Sequence, residues 1–247
     1  MRKYFGIIGG LGPKATADFI NSIVDRTVAE RDQDHPEFLL LHHPAIPDRS
    51  SYILDQSNPN PLPYLCRDVK TLSESNVSFI VIPCNSAHYF FDTLQNHASV
   101  PIIDMLSEAV DYIKEYFPQD KAVGILGTPG TLRSNLYQDK LRKAGLDPVT
   151  PTKEIQDQVN KLIFQQVKQG EPIDHQAYID VLTSMYALGC DRILLGCTEL
   201  SLVENEVVHD YPIIDTQVVL AERTILLSGK QVKKLHAFEN SELIRNR

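Results

Sequence analysis

Three segments in the first half of this chain recur in the second half, in the same order and with similar gaps. FGIIGGLGPKAT at 5–16 resembles VGILGTPGTLRS at 123–134, FIVIPCNSAH at 79–88 resembles RILLGCTELS at 192–201, and VPIIDM at 100–105 resembles YPIIDT at 211–216. One apolar run resembling another is common, but three in register mark a repeated structural unit. Runs of strand length rich in Ile, Val and Leu pass through Gly, Pro or a polar cap into amphipathic stretches. Strands alternating with helices in this way build parallel sheets covered on both faces. The expected fold is α/β, with two pseudo-symmetric lobes, each a parallel sheet flanked by helices, and a site in the cleft between them.

Strands are expected at Tyr4–Ile8, Phe38–Leu41, Phe79–Ile82, Ile102–Ile103, Ala122–Leu126, Ile193–Leu195 and Ile213–Ile214. Helices are expected at Lys14–Ala29, Pro61–Ser75, Leu106–Tyr116, Thr131–Ala144, Ile155–Lys168 and Tyr178–Leu188. The first lobe should take residues 1–103 and regain 212–227, where a helix returns to it; the second should take 104–211. Residues 228–247 read as a polar tail and receive no function.

Ligands of open parallel sheets bind beyond the carboxyl ends of the strands. Cys84 and Cys197 each follow such an end and precede a helix start, in matched copies of the repeat. Two lobes facing each other about a pseudo-twofold axis would aim both thiols into one cleft from opposite sides. The backbone N–H groups of a helix start favour a thiolate. Cys66 and Cys190 have no counterpart in the other copy and read as small core residues. The four cysteines lack CxxC pairs, so neither a disulfide framework nor a metal site is expected.

Two opposed thiols suit the exchange of a proton between the two faces of one carbon. A single base tends to return the proton to the face it came from, whereas a thiolate and a thiol that swap roles work in both directions. The carbanion needs hydrogen-bond donors at the adjacent carboxylate. Asn85, Ser86 and Thr198 follow the cysteines directly and could supply them.

Other features are less specific. GIIGGLG lacks both the GxGxxG spacing and a Walker lysine, so it reads as a tight turn open to a small anion. Its counterpart GTPGT offers the hydroxyls of Thr128 and Thr131. His42 and His43 are adjacent on a strand and point to opposite faces, which argues against a shared metal. His88, four residues after Cys84, could pair with it, with a structural or substrate-orienting role equally open. The net charge of −8, with no basic face, argues against nucleic acid. No apolar run is long enough for a membrane span or a signal peptide, so a cytoplasmic protein is expected.

The motifs GGLGPKAT, IPDRS at 46–50, IPCNSAH at 82–88 and GCTELS at 196–201 resemble those of the aspartate/glutamate racemase family. The resemblance spans roughly residues 5–220 and implies a two-lobed, PLP-independent enzyme without cofactor or metal, commonly a homodimer. Within the family the pattern is similar to that of aspartate racemases. It implies that Arg49 and Lys168 clamp the substrate's side-chain carboxylate and that Asp48 and Glu199 support proton transfer at the cysteines. It also implies that Cys197 acts on the L-enantiomer and Cys84 on the D-enantiomer. Ser86 departs from the threonine frequent there but keeps the hydroxyl. The expected activity is racemisation of an acidic amino acid, aspartate or also glutamate. The alternatives are a racemase of another amino acid, a dicarboxylate isomerase or decarboxylase of the same superfamily, and a two-lobed small-molecule-binding protein.

Overall fold

The computed structural model describes residues 4–233. The first sheet comprises β1 (Phe5–Gly9), β2 (Phe38–His42) and β3 (Ile80–Val81), in the order β2-β1-β3, all parallel. The second comprises β4 (Ala122–Gly127), β5 (Asp147–Val149), β6 (Arg192–Gly196) and β7 (Ile213–Asp215), in the order β5-β4-β6-β7, again parallel. The repeat holds at the level of single residue pairs. Gly6 lies opposite Ile80 and Ile80 opposite Ile102 in the first lobe; their counterparts Gly124, Ile193 and Ile213 pair identically in the second.

Helices α1 (Pro13–Arg26), α2 (Arg49–Leu54), α3 (Leu62–Glu74), α4 (Phe91–His97) and α5 (Met105–Tyr116) surround the first sheet or lead away from it. They are followed by α6 (Pro129–Arg133), α7 (Leu136–Lys143), α8 (Lys153–Asn160), α9 (His175–Ala187), α10 (Thr198–Glu204) and α11 (Thr216–Leu227). Helix α1 starts on Pro13, whose missing N–H costs nothing in a first turn, and buries Ala15, Phe19 and Ile23 along one face. The repeated aspartates Asp104 and Asp215 cap α5 and α11, each carboxylate accepting two backbone N–H bonds.

Alternation along the strands divides the interior into layers. Phe5, Ile7 and Val81 from one sheet and Val123, Ile125, Leu194 and Ile214 from the other enter a common core completed by α1, α5 and α11. Ile8, Ile80 and Ile82 point the opposite way, into a core of the first lobe with α3 and α4. Leu126, Ile193 and Leu195 do the same in the second lobe with α8 and α9.

The boundaries differ from expectation in several places. Residues 212–227 divide between the lobes: Ile213–Asp215 pairs with β6 in the second sheet, and only α11 packs on α1, together with α5. Ile102 makes a single bridge rather than a strand. The helix expected at 131–144 breaks at Asn135, which adopts φ 55°, a conformation its short polar side chain tolerates. The helix expected at 155–168 begins at Lys153 and continues from Lys161 to Lys168 as a π-helical segment. Residues 228–233 are also not free of the fold, because Gln231 and Lys233 exchange backbone bonds with Val28 and Arg26 beyond the end of α1. The rest of the expected tail, 234–247, lies outside the described residues.

Candidate active site

Cys84 and Cys197 occupy equivalent places just beyond β3 and β6. Their backbones are nearly the same, φ −157°, ψ 109° and φ −148°, ψ 127°, and each precedes a helical start: a 3-10 turn at Asn85–Phe90 and α10. Both side chains are buried and line one small cavity between the lobes. The same cavity is lined by Asp48, Arg49, Asn85, Ser86, Thr128, Thr131, Lys168, Thr198 and Glu199. Leu11, Ser50 and Gly196 complete it.

The two thiols have opposite electrostatic surroundings. Cys197 donates its proton to Glu199 Oε2 at 2.9 Å. Burial, then the Glu199 charge and its hydrogen bond, push the Cys197 thiol well above its ordinary pKa, with Lys168 opposing. Cys84 instead has Arg49 Nη2 at 3.9 Å and Ser86 Oγ at 3.5 Å. Burial works against the Arg49 charge, but the Cys84 sulfur, Asp48 and Glu199 around it more than offset this. One sulfur therefore faces a cation and the other a carboxylate.

Arg49, at the start of α2, is held by backbone carbonyls. Nη2 donates to Leu11 O at 3.0 Å and Nη1 to Pro47 O at 3.2 Å, while Nε is buried without a partner among the described residues. Asp48 caps α2 by accepting from Ser51 N at 2.7 Å and Ser51 Oγ at 3.0 Å. Burial raises its carboxyl, but the Ser51 bond, Lys168 and Arg49 outweigh this and hold it below the usual range. Lys168, at the end of the π-helical segment, lies 3.7 Å from Asp48 Oδ2 and 3.8 Å from Glu199 Oε1. Burial would strip its proton, yet Glu199, Cys197 and Asp48 keep its pKa raised. It thus links a carboxylate of each lobe.

Asn85 is fixed from the second lobe. Its Oδ1 accepts from Tyr137 Oη at 2.5 Å and lies 3.3 Å from Thr216 Oγ1, which also donates to Leu195 O at 2.8 Å. The amide nitrogen is buried and has no partner among the described residues. Thr128 caps α6, its Oγ1 accepting from Thr131 N at 3.2 Å, with the two hydroxyls 3.0 Å apart. Gly130 N donates to Ser50 Oγ at 2.9 Å, and a Cβ on Gly130 would lie 2.5 Å from that oxygen. Only glycine lets α6 approach α2 so closely.

His88 does not reach the sulfur of Cys84. Its Nδ1 bonds Cys84 O at 2.9 Å and its Nε2 accepts from Met105 N at 3.2 Å, while burial lowers its pKa and keeps it neutral. It fixes the backbone around Cys84. His43 pairs with Asp68 at 2.7 Å, and no group of His, Cys, Asp and Glu among the described residues could hold a metal. Cys190 is buried and donates to Met185 O, whereas Cys66 is only half-buried. Tyr137, Thr216 and Leu11 were not marked as site residues by the sequence. Thr216 aligns with Met105 in the repeat, and Tyr137 lies on a helix without a motif.

Residues 8–224 match the family described as Asp/Glu/Hydantoin racemase. The chain is 31% identical to the broad specificity amino-acid racemase RacX of Bacillus subtilis, over 89% of this chain and 96% of that one. It is similar in structure to aspartate racemase from Picrophilus torridus, with a TM-score of 0.83, 31% identity, and coverage of 94% and 96%. Glutamate racemase from Francisella tularensis in complex with D-glutamate shares the fold, with a TM-score of 0.68 at 17% identity over 92% of this chain and 81% of that one.

Proposed function

From the premise that the chain belongs to the Asp/Glu/Hydantoin racemase family and is an amino-acid racemase, we propose that it racemises aspartate, and glutamate as a second substrate, by a two-thiol mechanism. The observation that carries this reading is the pair of buried sulfurs in one cavity with opposite charge partners, Arg49 at Cys84 and Glu199 at Cys197.

In this reading Cys84 starts as thiolate and Cys197 as thiol. The Cys84 thiolate removes the Cα proton from one face, and the electron pair moves into the α-carboxylate. The unpartnered amide nitrogen of Asn85, with Ser86, Thr198 and nearby backbone N–H groups, holds that carboxylate as charge builds on it. Cys197 then delivers its proton to the other face and is left as thiolate, its charge met by Lys168. The reverse reaction exchanges the roles. Following the family resemblance, removal by Cys84 starts from the D-enantiomer and removal by Cys197 from the L-enantiomer. Asp48 and Glu199 tune the two ends, and the side-chain carboxylate lies toward Arg49 and Lys168.

A wider substrate range is a second reading. It is favoured by the state of Arg49, whose two Nη atoms are already committed to carbonyls, and of Lys168, which is already paired with Asp48 and Glu199. Incubation with each enantiomer in D2O, following optical rotation and deuterium at Cα, tests the mechanism. Cys84→Ser and Cys197→Ser should each abolish inversion. The variant that keeps Cys197 should still exchange the α-hydrogen of L-aspartate, and the one that keeps Cys84 that of D-aspartate. Full racemisation by either variant would refute the two-thiol scheme.

A further inference from the structure

His88, 4% exposed and four residues beyond Cys84, joins the Cys84 turn to the start of α5. Its two ring nitrogens meet partners of opposite kind. Met105 N–H can only donate, so Nε2, at 3.2 Å, is an acceptor. Burial keeps the ring neutral, with a single proton. That proton therefore sits on Nδ1 and is donated to Cys84 O at 2.9 Å. Ile103 O, 3.4 Å from Nε2, would gain a donor only from a charged ring. The ring is kept in place by stacking on Phe91, with planes 9° apart, and by the Asp104 cap of α5, which Lys140 of α7 holds at 2.7 Å.

We propose that His88 is a positioning residue of the racemase: by holding the carbonyl of Cys84 it aims the backbone N–H of Asn85 at the substrate's α-carboxylate. In a planar trans peptide the C=O and the following N–H point in opposite directions. Cys84 O faces the ring and Ala87 N, which donates to it at 3.2 Å, and neither His88 nor Ala87 lines the cavity. The Asn85 N–H is thereby turned to the side on which Cys84, Asn85 and Ser86 do line it. This N–H makes no hydrogen bond among the described residues, and neither does the buried side-chain nitrogen of Asn85. One residue thus brings two unengaged donors to the cavity. The inference rests on the proposed holding of the α-carboxylate at Asn85 and names the residue that orients it.

The second copy of the repeat does without such a ring. Four residues beyond Cys197 stands Ser201, whose hydroxyl goes to Asp215 at 2.8 Å, and Cys197 O accepts from Leu200 N at 2.9 Å at the start of an α-helix. The Cys84 turn is 3-10, a conformation with poorer hydrogen bonds, and its backbone bond to Cys84 O is the longer of the two. The His88 ring supplies the missing restraint.

The test separates the two bonds of the ring. An asparagine places an N–H where Nδ1 stands and offers nothing to Met105; a glutamine places an oxygen near Nε2 and offers nothing to Cys84 O. His88→Gln should lower kcat about thirtyfold, with KM within about threefold and a melting temperature within about 2 °C of wild type, because the donor is misaimed where charge builds while Cys84 O keeps its Ala87 bond. His88→Asn should keep kcat within about threefold yet melt roughly 3–5 °C lower, because Met105 N–H is left buried without an acceptor. A kcat loss in His88→Asn as large as that in His88→Gln overturns the assignment, and so does wild-type kcat in both. Amide proton–nitrogen correlation spectra of the full chain supply a readout without turnover. Succinate, which carries carboxylates but cannot be racemised, should move the Asn85 N–H downfield in the wild type and in His88→Asn but not in His88→Gln. No shift in the wild type, or the same shift in all three, also overturns the assignment. If the two-thiol scheme or the preference for aspartate fails, the Asn85 shift still decides the role of His88.

Discussion

Tyr137 of the second lobe donates its hydroxyl proton to the amide oxygen of Asn85 in the first, at 2.5 Å, and so turns the amide nitrogen toward whatever the cavity holds. Removing the hydroxyl frees the amide to rotate and leaves a buried acceptor less well satisfied. Tyr137→Phe should lower kcat/KM for aspartate roughly tenfold, equivalent to about 1–1.5 kcal/mol, mainly through the chemical step. A kcat within twofold of wild type would show that the amide is held by other means.

The unlike surroundings of the two thiols predict unlike reactivity. Iodoacetamide followed by peptide mass mapping should label Cys84 before Cys197 in the free enzyme, because Cys197 keeps its proton on Glu199. Glu199→Gln removes the anion that raises the Cys197 thiol. Cys197 should then be labelled at lower pH, while racemisation falls at least tenfold. Equal labelling of both cysteines in the wild type would contradict the assigned resting state.

Arg49 and Lys168 share a wall but should fail differently. Arg49→Ala leaves the carbonyls of Leu11 and Pro47 without their donor in a buried place. It should cost roughly 2–3 kcal/mol of stability as well as most of the activity toward aspartate. Lys168→Ala breaks only two long ion pairs, one to the half-exposed Asp48 and one to the buried Glu199. Its melting temperature should stay within about 2 °C of wild type while kcat/KM for aspartate falls by roughly a hundredfold. Comparable losses of stability in both variants would dispute this division.

Asp215 couples the fold to pH. Burial pushes its carboxyl from 3.8 up to about 6, despite bonds from Ser201, Gln217 and Val218. A carboxyl raised in this way stabilises the folded state through its protonated form. The contribution is present below 3.8 and is lost as pH rises through about 6. Asp215→Asn keeps a capping oxygen without the charge. It should raise stability by about 1–2 kcal/mol at pH 7.5 relative to wild type. The difference should vanish near pH 4, as thermal melts across that range would show. A constant difference at all pH values would mean that Asp215 does not titrate there.

The repeat made both the architecture and the place of the cysteines legible, because strand register and helix caps are written in contiguous residues. Gly6 and Gly124, or Asp104 and Asp215, carry the same local instruction twice. Local pattern could not show that Asn135 would turn left-handed in the middle of an apolar helical period. Nor could it show that the IID of 213–215 would pair fully while the equivalent IID of 102–104 makes one bridge. The partners of Asn85 and the opposite charges at the two sulfurs come from segments far apart in the chain. They exist only once the lobes have met.

The common core has a consequence for the halves as modules. Phe5, Ile7 and Phe19 of the first half are sealed by Leu220, Ala221 and Ile225 of α11, and Val123 and Ile125 share that seal with α5. Cutting the chain near residue 104 would bare these faces on both pieces. Neither copy can bury its own inner face, and a half-length version of this chain should not persist as a folded monomer.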